Sequence, residues 1–349
     1  MIELIRKLSN AHGVSGFEEE LREVIKGELE GYADEIRTDS MGNLIATRNG
    51  RELELMLSAH MDEIGFVVKK IDDKGFIRIA PIGGWFSQIA LGQRVVLYGR
   101  QKIYGVIGCK PPHLMKDEER KKGVEISEMF VDIGAKSKEE VLSLGVDVGT
   151  PVAIDREVAM LTNKRITGKA FDNRVGVAVA IEAFKKCKSD ATIHFVATVQ
   201  EEVGLKGAKT SAFALEPDVA VVIDSCVAAD FPGSENAHMD IALGKGPVIT
   251  VVDASGRGLI VSPLVLKWLK ETAEKCKIPY QLEVAEGGTT DASAISLTKS
   301  GIPSGVVSIP ARYIHSPVEV VDMNDVENAV ELVARAIENA RDYFKEVIK

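Results

Sequence analysis

No two cysteines in this chain stand close enough to read as a C-x-x-C pair; Cys109, Cys187, Cys226 and Cys276 are scattered along it. That spacing argues against a thiolate zinc site and a disulfide framework, so the four read as reduced, structural thiols of a cytoplasmic protein. Also missing is an apolar run of the roughly 18 residues that a bilayer-spanning helix needs, so no membrane partner is expected. There is no dense basic block either. The nearest, KDEERKKG at 116–123, is mixed in sign, and the chain carries a formal net charge of −9. That balance repels phosphate backbones, so nucleic acid is not an expected partner. No internal repeat or low-complexity tract is evident. The opening MIELIRKLSNAHG is amphipathic and includes an acid, so it reads as a first helix and not as a signal peptide.

What the chain does have is 349 residues with 45% hydrophobic content, enough for two domains or one large one. Ser15 and Glu18 form a capping-box pattern ahead of EEELREVIKGELEGY, and Ser262-Pro263 supplies an N-cap and a first-turn proline ahead of LVLKWLKETAEKC. Asn324 with Glu327 is expected to open a long C-terminal helix. Between the helices lie short apolar runs of buried-strand type: ELMLSA (54–59), TIHFVATV (192–199), VAVVID (219–224) and GVVSI (305–309). Strands alternating with helices imply an α/β fold, a mixed, mainly parallel sheet flanked by helices. The segment 66–160 differs, with short β runs, frequent glycines and one clear helix capped by Ser137 and Glu140. It is expected to be an inserted all-β barrel, leaving 1–65 and 161–349 as a discontinuous α/β domain.

Ionisable residues gather at the ends of those strands. His60 and Asp62 follow the first, Glu201 and Glu202 follow the next strong one, Asp224 closes VAVVID, and His315 lies a few residues past GVVSI. Asp172 stands where a loop enters a helix. Taken singly, each has an ordinary explanation: a helix cap, a strand end, a solvated turn. Together they would need five independent accidents at one sheet edge, the edge where open α/β sheets bind ligands. Histidine and carboxylate without thiolate suit a catalytic metal, and two histidines with three carboxylates are too many for one open site. They fit two ions, each with one histidine and one terminal carboxylate, sharing a bridging carboxylate. Asp62, two residues after His60, is placed to accept the imidazole N–H.

The blocks SAHMDEIGF, GKAFDNR, VATVQEEVGLKGAKTSAF, VVIDS and PARYIHSPVEVV resemble the metal-site blocks of the TET-type aminopeptidases, in the glutamyl/deblocking aminopeptidase family of dinuclear metallopeptidases. IRIAPIGGW and GCKPPHL in the insertion are also similar, and the resemblance runs from about residue 11 to 326. It implies a zinc aminopeptidase-like domain with a barrel used for dimerisation, here 66–160. It implies that Asp172 bridges two divalent ions, zinc or cobalt, one completed by His60 and Asp224 and the other by Glu202 and His315. Glu201 would be the general base, with Asp62 supporting it, and metal-activated water would remove N-terminal residues from short peptides. The assembly implied is a dimer-based homo-oligomer, a TET dodecamer. The loop EGGTTDAS (286–293) departs from the family in having Thr289 where a third glycine is common. Rival readings are a related dinuclear amidohydrolase (deacylase or carboxypeptidase), a glycosidase, and a binding protein that keeps metal only for stability. Residues that select the N-terminal side chain are not identified at this stage.

Overall fold

The computed structural model describes residues 1–235 and 238–345. Strands β1 (Glu35–Thr38), β2 (Leu44–Arg48) and β3 (Glu54–His60) come first. The insertion follows, with β4 (Gly65–Ile71), β5 (Ile77–Ile82), β6 (Arg94–Tyr98), β7 (Lys102–Gly108), β8 (Phe130–Asp132) and β9 (Pro151–Ile154). The rest of the chain supplies β10 (Ala159–Met160), β11 (Arg165–Gly168), β12 (Thr192–Thr198) and β13 (Val219–Val227), then β14 (Val248–Val252), β15 (Gln281–Val284), β16 (Ser304–Ala311) and β17 (Glu319–Asp322).

The four apolar runs expected as strands all lie in one eight-stranded sheet, ordered β1-β2-β12-β3-β13-β16-β14-β15. Its centre is parallel: β12, β3, β13 and β16 run side by side in one direction. These strands are apolar on both faces because both are covered. Helices Phe171–Lys186, Pro263–Cys276 and Met323–Phe344 pack together on the sheet, while Lys206–Leu215 and Asp291–Ser296 form a second group against it. Phe171, Phe184, Phe195 and Trp268 are fully buried in this core, each stabilising it by about 1.5–3 kcal/mol.

The insertion closes into a six-stranded antiparallel barrel, β4-β5-β8-β7-β6-β9, with its own core of Phe66, Val68, Ile77, Val95, Leu97 and Val131. A small sheet, β10-β11-β17, lies beside the main one.

Capping follows the sequence at some ends and not at others. The Ser262 hydroxyl accepts from the Val265 N–H with Pro263 at the first helical position, and Ser137 caps its short helix at Glu140. At Ser15 the expectation fails. Its hydroxyl donates to Asp62, the helix begins only at Glu19, and Glu18 accepts from the backbone of Gly16 and Gln200. The C-terminal helix is capped two residues earlier than expected, by the Asp322 side chain accepting from the Asn324 N–H. Buried partners across the fold outbid the local pattern in the first case, and a closer acceptor does so in the second.

Candidate active site

Parallel pairing sets the geometry. Thr198 lies opposite His60 in the β12–β3 register, and Val222, two residues before Asp224, lies opposite Ser58 in the β3–β13 register. His60 at the end of β3, the 200–202 bend just past β12, and Asp224, three residues before the end of β13, therefore sit together toward the carboxyl ends of adjacent strands. Gln200 adopts a left-handed φ of 55°, which breaks the strand and sends the two glutamates in different directions. The bend is clamped by Asp62. Its Oδ1 accepts from the Glu201 N–H at 2.9 Å, and its Oδ2 accepts from the Glu202 N–H at 3.2 Å and from the Ser15 hydroxyl at 2.7 Å.

All seven residues singled out from the sequence meet here. Asp172 stands at the centre: its Oδ1 is 3.2 Å from His60 Nε2, and its Oδ2 is 3.4 Å from His315 Nε2. His60 Nε2 is also 3.7 Å from Asp224 Oδ1, and His315 Nε2 is 3.2 Å from Glu202 Oε1. His60, Asp172 and Asp224 thus form one group of possible ligands and Asp172, Glu202 and His315 another; Glu201 and Glu202 also converge on His60. The expected contact of Asp62 with the imidazole takes a different form. His60 Nδ1 lies 3.2 Å from the Asp62 main-chain oxygen and 3.6 Å from its carboxylate, because that carboxylate is engaged by the 201–202 backbone. An N–H on Nδ1 donating to that oxygen leaves Nε2 as the free donor atom facing Asp172.

The electrostatics call for positive charge. Burial opposes protonation of His60, yet the carboxylates of Glu201, Asp172, Asp224 and Asp62 outweigh it and hold its pKa well above the ordinary value. His315 is likewise opposed by burial but pushed up to about 11 by Asp172 and Glu202. Burial raises Glu201, Glu202 and Asp224, reinforced by their neighbours' negative charge. Asp172 is lowered, burial being overcome by the two imidazoles. A water-poor cluster with more carboxylates than imidazoles is stabilised by added cations, and oxygen and imidazole donors without thiolate fit borderline divalent ions. The donor set fits such ions.

Two residues that sequence reasoning passed over complete the site. Glu319 is buried, and its Oε2 accepts from the Asp172 N–H at 2.9 Å while its Oε1 accepts from the His315 N–H at 2.8 Å. Its carboxyl is raised by burial and by the Asp172 charge. The signal was present, an acid four residues after His315 inside VEVV, but an acid in an apolar strand is legible only once its partners are known. Asp291, in the 286–293 loop, accepts from the Thr198 hydroxyl at 2.5 Å, and burial with nearby acids pushes it up to about 7. Behind Gln200 lies a cavity of about 730 Å3 lined by His12, Glu18, Asp39 and Tyr98 among others. Its inner carboxylates are engaged, Asp39 by the backbone at 41–43 and Glu18 by Gly16 and Gln200, so the ligand set is on the other side of the bend.

This arrangement has counterparts. The profile of the M42 glutamyl aminopeptidases matches residues 42–332. Lysyl aminopeptidase of Pyrococcus furiosus is 34% identical over 97% of each chain. Among solved structures, an aminopeptidase of the archaeon Desulfurococcus kamchatkensis superposes with a TM-score of 0.95 at 46% identity, covering 100% of this chain and 97% of its own. The TET1 peptidase of Pyrococcus horikoshii, which assembles into a tetrahedron or a large octahedral shell, superposes with a TM-score of 0.87 at 36% identity, covering 97% and 99%.

Proposed function

The chain belongs to the M42 glutamyl aminopeptidase family and is a peptide hydrolase, and from that premise we propose that it is a dinuclear enzyme removing N-terminal residues from short peptides. One observation carries the reading: the two oxygens of Asp172 each face a different imidazole. That is the placement a bridging carboxylate needs. His60 and Asp224 would complete one site, Glu202 and His315 the other. The ions, zinc or cobalt, would supply Lewis acidity toward the scissile carbonyl and the attacking water.

The chain's own residues do the rest. Glu201 holds no ion in this scheme and is free to take a proton from the water and pass it to the leaving amine. Its burial beside other acids supports that role, since a raised pKa suits a group that must both accept and return a proton. Asp62 fixes the 201–202 backbone, so ligand and base are held apart on one rigid mount. Carboxylates around the cluster receive the substrate's free α-amine, which restricts cleavage to the first residue.

The barrel, taken as a domain of 66–160 inserted between 1–65 and 161–349, would serve dimerisation. Dimers would build a homo-oligomer such as the dodecamer of a tetrahedral shell, in the cytoplasm.

Glu201→Gln is expected to keep both ions, measured by metal analysis, and lose about 100- to 10,000-fold in kcat. Asp172→Ala is expected to lose the ions themselves. Full activity after chelation, or near wild-type turnover in Glu201→Gln, would overturn the reading. Cleavage of an acylated peptide in preference to one with a free N-terminus would instead support a deacylase.

A further inference from the structure

His315 is held differently from His60. Its Nε2 faces Asp172 and Glu202, and its backbone, at a left-handed φ of 62°, is tied through its N–H to Glu319. A ligating histidine normally has its outer nitrogen held by a carboxylate or carbonyl, which fixes the ring. Here no hydrogen bond reaches Nδ1 from any described residue of the protein. Facing it is Gly84, from the barrel, which carries no side chain: a methyl group on that residue would lie 3.2 Å from Nδ1 and 3.5 Å from Cε1.

The loop carrying Gly84 follows β5 and is pinned on both sides. Gly83, at φ 77°, packs so closely on Ile64 that a methyl there would approach its Cγ2 to 2.5 Å. The Trp85 indole N–H donates to the Gly65 carbonyl at 2.9 Å, and its ring stacks on Phe66 at 4.4 Å between centroids. Trp85 also lines the small cavity beside Asp172, Glu202 and His315. A fixed backbone without a side chain therefore leaves the room that the ring's outer edge takes up.

We infer that Gly84 is a positioning residue for His315, whose missing side chain leaves the ring its place beside the barrel, so that the insertion is a working part of the metal centre. This rests on the dinuclear reading above. A side chain at 84 pushes the ring by a few tenths of an ångström. The imidazole can yield, since the His315 side chain is 35% exposed, so the fold survives while the ligand geometry does not.

The test is a cobalt titration of metal-free wild-type protein, Gly84→Ala and a barrel control, Gly108→Ala, whose methyl would meet Phe130 at an ordinary 3.4 Å. Uptake is followed by the visible absorption of bound cobalt and by chelator competition. The wild type and control should bind two equivalents alike. Gly84→Ala should keep one and bind the other about 10- to 100-fold more weakly, with an altered spectrum. Its kcat should fall with KM little changed. Two equivalents bound identically in Gly84→Ala, with an unchanged spectrum, would overturn the inference alone; a wild type that takes up no cobalt would overturn the dinuclear reading and this with it. Should Gly84→Ala fail to fold, Trp85→Phe, which removes the bond to Gly65, serves in its place: a weakened second equivalent supports the inference and an unchanged one overturns it.

Discussion

Glu319 joins Asp172, the proposed bridge, to His315 on a different loop by accepting one backbone N–H from each. An amide can accept only through its oxygen, so Glu319→Gln would set an NH2 group against one of those donors. The expected result is metal affinity lower by about 10- to 100-fold, read by chelator competition, with the circular dichroism spectrum intact. His12 makes a different kind of statement. Burial first and the Lys169 charge second lower its pKa to about 4, and it meets the Tyr98 ring edge-on at 5.6 Å. A histidine lowered on folding contributes stability that is fully present above its unfolded pKa and lost as the pH falls through the folded value. Wild-type protein should therefore lose up to about 3 kcal/mol between roughly pH 6.5 and 4 from this residue. Urea midpoints at pH 7 and pH 5 should show a smaller drop for His12→Phe; an equal drop would assign the acid sensitivity elsewhere.

Strands and helices matter here mainly as mounts. β3 and β13 are rigid because each is buried between two parallel neighbours, and β12 because it is buried between antiparallel β2 and parallel β3; that rigidity is passed to the residues at their ends. Helix Pro263–Cys276 shows how local chemistry supports such a mount. Ser262 satisfies an otherwise orphaned N–H, and Trp268 is fixed by donating to Asn339 Oδ1 at 2.7 Å. Ser262→Ala should cost about 1 kcal/mol in urea unfolding without changing kcat, since the helix lies away from the site. Ser15 carries the opposite lesson: its pattern is that of a cap, but its hydroxyl serves Asp62. A buried carboxylate gains more from a further donor than an exposed helix end gains from a cap.

The molecule as a whole is a sheet that carries chemistry and a barrel that reaches it. The barrel also exposes large apolar side chains, with Phe86 64% and Tyr104 65% exposed. Exposure of that kind on a closed barrel supports the proposed assembly role, because burying such side chains against another copy is favourable. Phe86→Asp combined with Tyr104→Asp should shift sedimentation toward smaller species while leaving the barrel folded; an unchanged distribution would place the assembly surface elsewhere.

The sequence by itself determined the α/β class, the barrel and the seven residues that meet in the candidate site, because hydrophobic periodicity and strand-end ionisable residues are local signals. It could not determine that the Asp62 carboxylate grips the 201–202 backbone while its main-chain oxygen meets the imidazole, that Glu319 ties Asp172 to His315, or that Gly84 leaves room for a histidine more than two hundred residues away. Those relations depend on which hydrogen bonds remain open and which side chains touch after the strands have paired and the barrel has closed. Such contacts between distant segments are decided by the packing of the whole chain, and no short stretch of it encodes them.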